Sequence, residues 1–453
     1  MARTPARQAA PAASHDGEAE ALLIEVYRLI GASRSREALA KAEHLASRYP
    51  NFQLAQLVYG DLLAGRTRPL RRLGDIADGM PAAMVAQLDE LRQESQLRLK
   101  ALRERPPAHT IPSQFLTLAP RSRHAIAVDA SRSRLYLFEN TANGLQLVAD
   151  YYISLGKSGI EKSVEGDLRT PLGVYYITGN LNKATLKDFY GAGALPINYP
   201  NPLDLSRGKT GGGIWLHGTP RDQFSRAPLT TDGCVVLANP ALERILRTVE
   251  PRSTPVVIAS HLQWVAPLAV QPESRAFEGV LDAWRAAKSS GDMDRLLAFY
   301  TPDFKSYGKS LAEWTPQLAA EAVRAEGREI RLKDLSLLRW NDKADTMVVT
   351  FGEVLDGART GAVKRQYWLR QGGQWKIFFE GVIGDAPVPA RRCAPHVLPG
   401  CLRARHGCRV GPGRPRAAGQ ARHLGGRHRG PARCGKGAAH GRELSAVRAR
   451  QAL

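Results

Sequence analysis

Cysteine is almost missing from the body of this 453-residue chain: residues 1–390 hold one, Cys234, and the other four lie at Cys393, Cys401, Cys408 and Cys434. A single body cysteine excludes a disulfide-built framework. The four later cysteines have neither paired C-x-x-C spacing nor a histidine at finger spacing, which argues against a zinc site. Aromatic residues are absent from 391–453, where fifteen Lys/Arg face one acid, Glu443. Such a segment buries too little apolar surface to offset chain entropy, so 388–453 is expected to be a disordered basic tail. Its abrupt change of composition fits a reading frame out of phase, or a tail for nucleic acid or acidic polymers.

Long apolar runs are missing as well. No stretch approaches the ~18 apolar residues of a membrane span. Residues 1–17, expected to be disordered, lack the apolar stretch of a secretory signal. Read literally, the chain is cytoplasmic, although a misplaced start codon would erase a signal and leave everything downstream intact. The formal charge of +21 suggests a nucleic-acid partner until it is located. The tail supplies +14 of it, leaving 49 basic against 42 acidic side chains in 1–390. The body therefore makes no electrostatic case for nucleic acid.

The length implies two or three domains. Residues 18–110 read as helical, with Leu22, Val26, Leu29 and Ile30 on one face and Leu54, Leu57, Val58 and Leu62 on another. Ala38–Glu43 followed by Tyr49-Pro50-Asn51-Phe52 looks like one helical hairpin of the tetratricopeptide kind. A charged helical stretch follows around 82–102. These helices are expected to cap a neighbouring domain or to pair two subunits as a homodimer. From 120 to 262 the pattern turns to short strands with glycine-rich connections. His124–Asp129 and Arg134–Phe138 alternate around Ser131-Arg132-Ser133, as in a hairpin. Residues 272–385 place helices first, then four strands, as in an α+β cone.

The chemistry concentrates between Gly156 and Asn239. Cys234 stands in Thr231-Asp232-Gly233-Cys234-Val235-Val236, with Ile214-Trp215-Leu216-His217-Gly218 upstream and Gly166-Asp167-Leu168-Arg169-Thr170-Pro171-Leu172-Gly173 before that. A cysteine framed by glycine, with a histidine available to take its proton, suits thiol acyl transfer. The blander reading of a lone cysteine is a small buried hydrophobe. The run resembles the L,D-transpeptidase (YkuD) family, whose pattern is a histidine, an insertion, Ser/Thr-x-Gly-Cys and a downstream asparagine.

That resemblance covers about a third of the chain. It implies Cys234 as nucleophile, His217 as general base and acid, and the Gly218 carbonyl as the group orienting His217. It also implies Gly233 and Cys234 amides as oxyanion donors. Trp215, Thr231, Asp232, Asn239 and Tyr190 are the candidate substrate contacts, Trp215 reading first as core. Lys187–Lys209 reads as a loop, either a lid or a plain excursion. Two positions depart from the family pattern: Asp232 replaces the usual histidine, and Val236 the usual arginine. The first should raise the thiol pKa if the charges face each other. The second should weaken carboxylate recognition.

Residues 272–385, closing in Gln374-Trp375-Lys376-Ile377, are similar to the NTF2-like family, with no convincing Asp/His constellation. The whole order resembles the cell-shape L,D-carboxypeptidases of helical bacteria. The expected architecture is multidomain α+β: a helical N-terminal region, a β-rich catalytic domain, an NTF2-like cone and the tail. Peptidoglycan stem peptides are the implied partner and the periplasm the implied compartment, with no metal or organic cofactor. Amine and water remain open as acyl acceptors. A non-catalytic cell-wall binding module and a nucleic-acid binder working through 391–453 are the readings from other classes.

Overall fold

The computed structural model describes residues 17–75 and 79–387, without the side chains of 385–387. The expected disordered ends, 1–17 apart from Gly17 and 388–453, lie outside the described residues, all of which belong to one compact unit. Helices α1 (Glu18–Gly31), α2 (Ser35–Arg48) and α3 (Gln53–Ala64) pack around Leu23, Val26, Leu45, Phe52 and Val58. Ala19, Leu23 and Val26 in α1, Ala38, Ala42 and Leu45 in α2, and Leu54 and Val58 in α3 recur every three or four positions, the spacing of a buried stripe. Tyr49–Phe52 makes the turn between α2 and α3.

Helix α4 (Ala82–Arg103) breaks the usual rule, because its buried residues include Glu94, Ser95 and Arg98. Each charge meets an opposite one. Arg98 contacts Glu94 at 2.7 Å and Glu20 at 3.0 Å, and Arg134 contacts Glu20 at 2.6 Å and Asp150 at 2.9 Å. Arg134 and Asp150 belong to strands of the next region, so the helices are fastened to it by a buried ionic network. Buried charges persist only when paired in this way.

That next region is a ten-stranded sheet. From one edge its path runs Gly173–Tyr176, Pro255–Ala259, His124–Asp129, Arg134–Thr141, Gly144–Gly156, Val235–Leu237, Trp215–His217, Gly193–Pro196 and Leu181–Asn182. Leu229–Thr231 joins off this path, parallel to the end of Gly144–Gly156. The expected hairpin is present, with Asp129 opposite Arg134. Ile126 and Val128 enter one core, and Ala125 and Ala127 the other. Burial on both faces explains why such strands are apolar throughout.

The second core is shared with the C-terminal cone, where Leu338, Trp340, Val348, Tyr367 and Phe378 meet Tyr136, Phe138, Val174 and Val257. The cone sheet runs Gln374–Pro387, Thr360–Gln371, Asp345–Leu355, Ile330–Asn341 and Phe115–Thr117. That last strand precedes the catalytic region in sequence, so the chain is woven into the domain that follows. Helices Gln271–Ser290 and Leu311–Ala325 fill the concave side with Phe277, Trp284, Trp314 and Leu318.

Under those helices lies a charge cluster that sequence reading missed. Lys288 meets Glu321 at 2.7 Å and Glu353 at 2.8 Å. Lys364 meets Glu321, Glu353 at 3.3 Å and Glu380 at 3.4 Å. Tyr300 and Gln366 donate to Glu380 at 3.1 and 2.6 Å.

Candidate functional site

Strand Trp215–His217 and strand Val235–Leu237 run parallel, with Leu216 opposite Val235 and His217 opposite Val236. Cys234 immediately precedes the second strand and lies alongside Trp215. Alternation does the rest: Ile214 and Leu216 enter the core, while Trp215 and His217 face the other side with Cys234. Trp215 is half-buried and lies outside the core clusters, which corrects its reading as core.

The turn that presents Cys234 is built from threonines. Thr231 Oγ1 donates to the Cys234 carbonyl at 2.7 Å and accepts the Gly233 N–H at 3.1 Å. Thr170, fully buried, donates to the Gly233 carbonyl at 3.0 Å and accepts the Gly156 N–H at 2.9 Å. Gly233 has φ +121°, and a Cβ there would lie 2.6 Å from the Arg169 carbonyl oxygen. Only glycine fits. Two expectations change here. The Gly233 amide is committed to Thr231 and is not free to serve as an oxyanion donor. Thr231, read as a substrate contact, is 3% exposed and spends its hydroxyl on the turn.

His217 is 1% exposed. Its Nδ1 lies 2.8 Å from the Gly218 carbonyl, which fixes the ring and leaves Nε2 for other work. Burial pushes the imidazole down to about 4, and the charge of Arg226 adds to the effect. Burial pushes the Cys234 thiol up, and Asp232 adds to that, while the Trp215 N–H, Arg226 and Lys162 oppose it. The resting pair is therefore neutral thiol and neutral imidazole. Sγ accepts the Trp215 N–H at 3.4 Å and donates to the Gly213 carbonyl at 3.5 Å. Its described hydrogen bonds do not run to His217.

The other candidates separate cleanly. Tyr190 walls the site, with its ring 5.1 Å from that of His217 and 4.9 Å from that of Trp215. Asp232 is exposed and paired with Lys157 at 2.9 Å. Asn239 is corrected from substrate contact to brace: it accepts from the Ala192 N–H and donates to the Thr219 carbonyl, both at 2.8 Å. Its side chain also occupies the space a Cβ on Gly218 would need.

The Lys187–Lys209 segment is not a long loop. It holds a 3-10 turn at Asp188–Tyr190, the strand Gly193–Pro196 beside Trp215–His217, and the helix Pro202–Ser206. Ala194 pairs with His217 through the sheet, and the Phe189-Tyr190 turn sets its two rings against the imidazole. Sequence reading missed Phe189, 5.6 Å from the His217 ring, and Arg226, stacked on Phe189 at 4.6 Å. The absent arginine after Cys234 was the one available signal that a cation should come from elsewhere.

Comparison with known proteins matches two domains of the chain. Residues 123–258 match the YkuD L,D-transpeptidase catalytic domain, and residues 277–381 the Cds6 C-terminal NTF2-like domain. Among solved structures, Bd1075 of Bdellovibrio bacteriovorus is 26% identical with a TM-score of 0.52, covering 62% of this chain and 99% of its own. The helical cell shape determining protein Pgp2 of Campylobacter jejuni is 22% identical with a TM-score of 0.46, covering 64% and 99%. An L,D-transpeptidase from Mycobacterium smegmatis is 12% identical with a TM-score of 0.21, covering 30% and 58%. No curated protein matches the chain. The chain thus carries a YkuD L,D-transpeptidase catalytic domain followed by a Cds6-type NTF2-like domain.

Proposed function

We propose that the protein processes peptidoglycan stem peptides through a Cys234 acyl-enzyme. The observation that supports this reading is that His217, buried and anchored through Nδ1, lies on the same side of neighbouring parallel strands as Cys234, which immediately precedes the second. His217 Nε2 takes the thiol proton as Sγ attacks the carbonyl of the diamino acid, and returns a proton to the amine of the departing D-alanine. Closing the gap between Sγ and the ring is a movement made on substrate binding, since apo geometry in such pairs is often loose. The Trp215 N–H steadies the thiolate. The Cys234 N–H is assigned to the oxyanion, an interaction typically worth about 3 kcal/mol. An amine from a second stem then takes the acyl group, in the periplasm where such stems are exposed. In an oxidising compartment no second cysteine within residues 1–390 is there to trap the nucleophile as a disulfide.

The test is mass spectrometry of muropeptides after incubation of the full chain with disaccharide-tetrapeptide, with Cys234→Ala alongside. Dimers joined between two diamino acids, with loss of D-alanine, are expected from the wild type only. Tripeptide alone would make water the acceptor and the enzyme a carboxypeptidase. No Cys234-dependent change would overturn the enzyme reading in favour of a wall-binding module.

A further inference from the structure

The segment between His217 and Cys234 carries a cation that the structure leaves without an acid. Among the described residues Arg226 has no ion pair, and its Nε is buried with no hydrogen-bond partner. The charges of Asp232 and Asp222 reach it without forming an ion pair, and Asp232 is taken by Lys157 at 2.9 Å. The guanidinium lies on the face of Phe189, whose ring also neighbours those of Tyr190 and His217. Its charge is felt at both His217 and Cys234. Leaving a half-buried guanidinium unpaired costs free energy unless something else supplies the anion.

Arg226 is also held in place with unusual care. Phe224 is inserted into the core of the N-terminal helices, stacked on Phe52 at 4.3 Å. Ser225 donates to the buried Glu94 at 2.8 Å. Tyr152 donates to the Arg226 carbonyl at 3.0 Å, and Ser154 to the Ala227 carbonyl at 2.5 Å. Arg226 lines a cavity of about 520 Å³ between α3, α4 and the catalytic sheet, along with Gln53, Glu90, Glu94, Phe189 and Thr230, and this cavity adjoins the His217 ring only through Phe189. The helices thus hold the backbone on which the unpaired cation is mounted.

We infer that Arg226 is the specificity residue that grips the C-terminal carboxylate of the departing D-residue. The inference rests on the proposed function, in which His217 must reach the amine of that residue. In an α-amino acid the carboxylate is one carbon from that amine, so it arrives beside His217, where Arg226 is the cation stacked on Phe189. A planar guanidinium suits a carboxylate bidentately. Arg226 would then supply what Val236 cannot.

The experiment compares a tetrapeptide stem ending in D-alanine with the same peptide ending in D-alaninamide, for the wild type, Arg226→Gln and Arg226→Lys. The wild type is expected to favour the free acid roughly 10–100-fold in kcat/KM, as a charged hydrogen-bonded pair requires. Arg226→Gln should erase that preference, mainly through KM, and Arg226→Lys should keep part of it. A merely structural role would lower turnover of both peptides alike. Arg226→Gln with the wild-type preference intact would overturn the inference. Should neither peptide show Cys234-dependent turnover, the functional reading fails. Calorimetric binding of acid against amide to Cys234→Ala, with and without Arg226→Gln, then decides the role of Arg226 separately.

Discussion

The cone and the catalytic cleft both bury ionisable groups, and they treat them in opposite ways. In the cone, Lys288 and Lys364 are enclosed by Glu321, Glu353 and Glu380, so each ammonium has at least two carboxylates within reach. Burial alone would raise Glu321, but Lys364 and Lys288 outweigh it and hold the carboxyl down at about 2. In the cleft, Cys234, His217 and Arg226 are buried or half-buried with no opposite charge paired to any of them. The first cluster is complete by itself, which marks it as structural. The second is left without counter-charges, as the proposed function would require of a site that receives a substrate.

The comparison breaks most visibly at Lys364. Lys364→Met leaves Glu321 and Glu353 to Lys288 and takes from the buried Glu380 its lysine, and should cost about 3–5 kcal/mol in denaturant unfolding. Turnover per folded molecule should persist. A loss of activity with no loss of stability would mean that the cone cluster is no longer merely structural.

Next comes acid. The folded His217 titrates at about 4 against 6.5 for an ordinary imidazole, so the unfolded chain binds the extra proton between those values. Its contribution to stability is present in full above about 6.5 and is lost as pH falls towards 4, on the order of 3 kcal/mol. His217→Asn should flatten that part of a stability–pH curve. An unchanged slope would show that the histidine is not buried neutral.

A smaller effect sharpens the description of the turn. Thr170→Val removes the hydroxyl that links Gly233 and Gly156 and should destabilise by about 1–3 kcal/mol. Turnover should fall more than stability, because the same turn aims Cys234. Smallest of all, Asp232→Asn should leave stability within about 0.5 kcal/mol, since the residue is exposed. It should shift thiol alkylation slightly towards lower pH, because Asp232 helps to raise the thiol.

Much of the fold was legible because it rests on local pattern. The hairpin around Ser131–Ser133 and the four long cone strands follow from apolar alternation and turn residues, and the helical hairpin from its periodicity. The nucleophile and histidine stood out through glycine framing and the scarcity of cysteine. What sequence concealed depends on partners far along the chain. Helix α4 reads only as charged because its link to Arg134 and Asp150 runs through Glu20, and all three are distant from it in sequence. Thr231 and Asn239 look like substrate contacts until their hydrogen bonds are seen to be spent on the turn and on Ala192 and Thr219. Arg226 was invisible because nothing local distinguishes a guanidinium with a partner from one without.

The most direct test of the central claim is intact mass analysis of the full chain quenched during turnover of a tetrapeptide stem, followed by peptide mapping. The expected result is an acyl adduct of the stem, less its D-alanine, on the peptide containing Cys234, absent from Cys234→Ala. An unmodified Cys234 peptide alongside turnover that survives Cys234→Ala would contradict the assignment of the cleft.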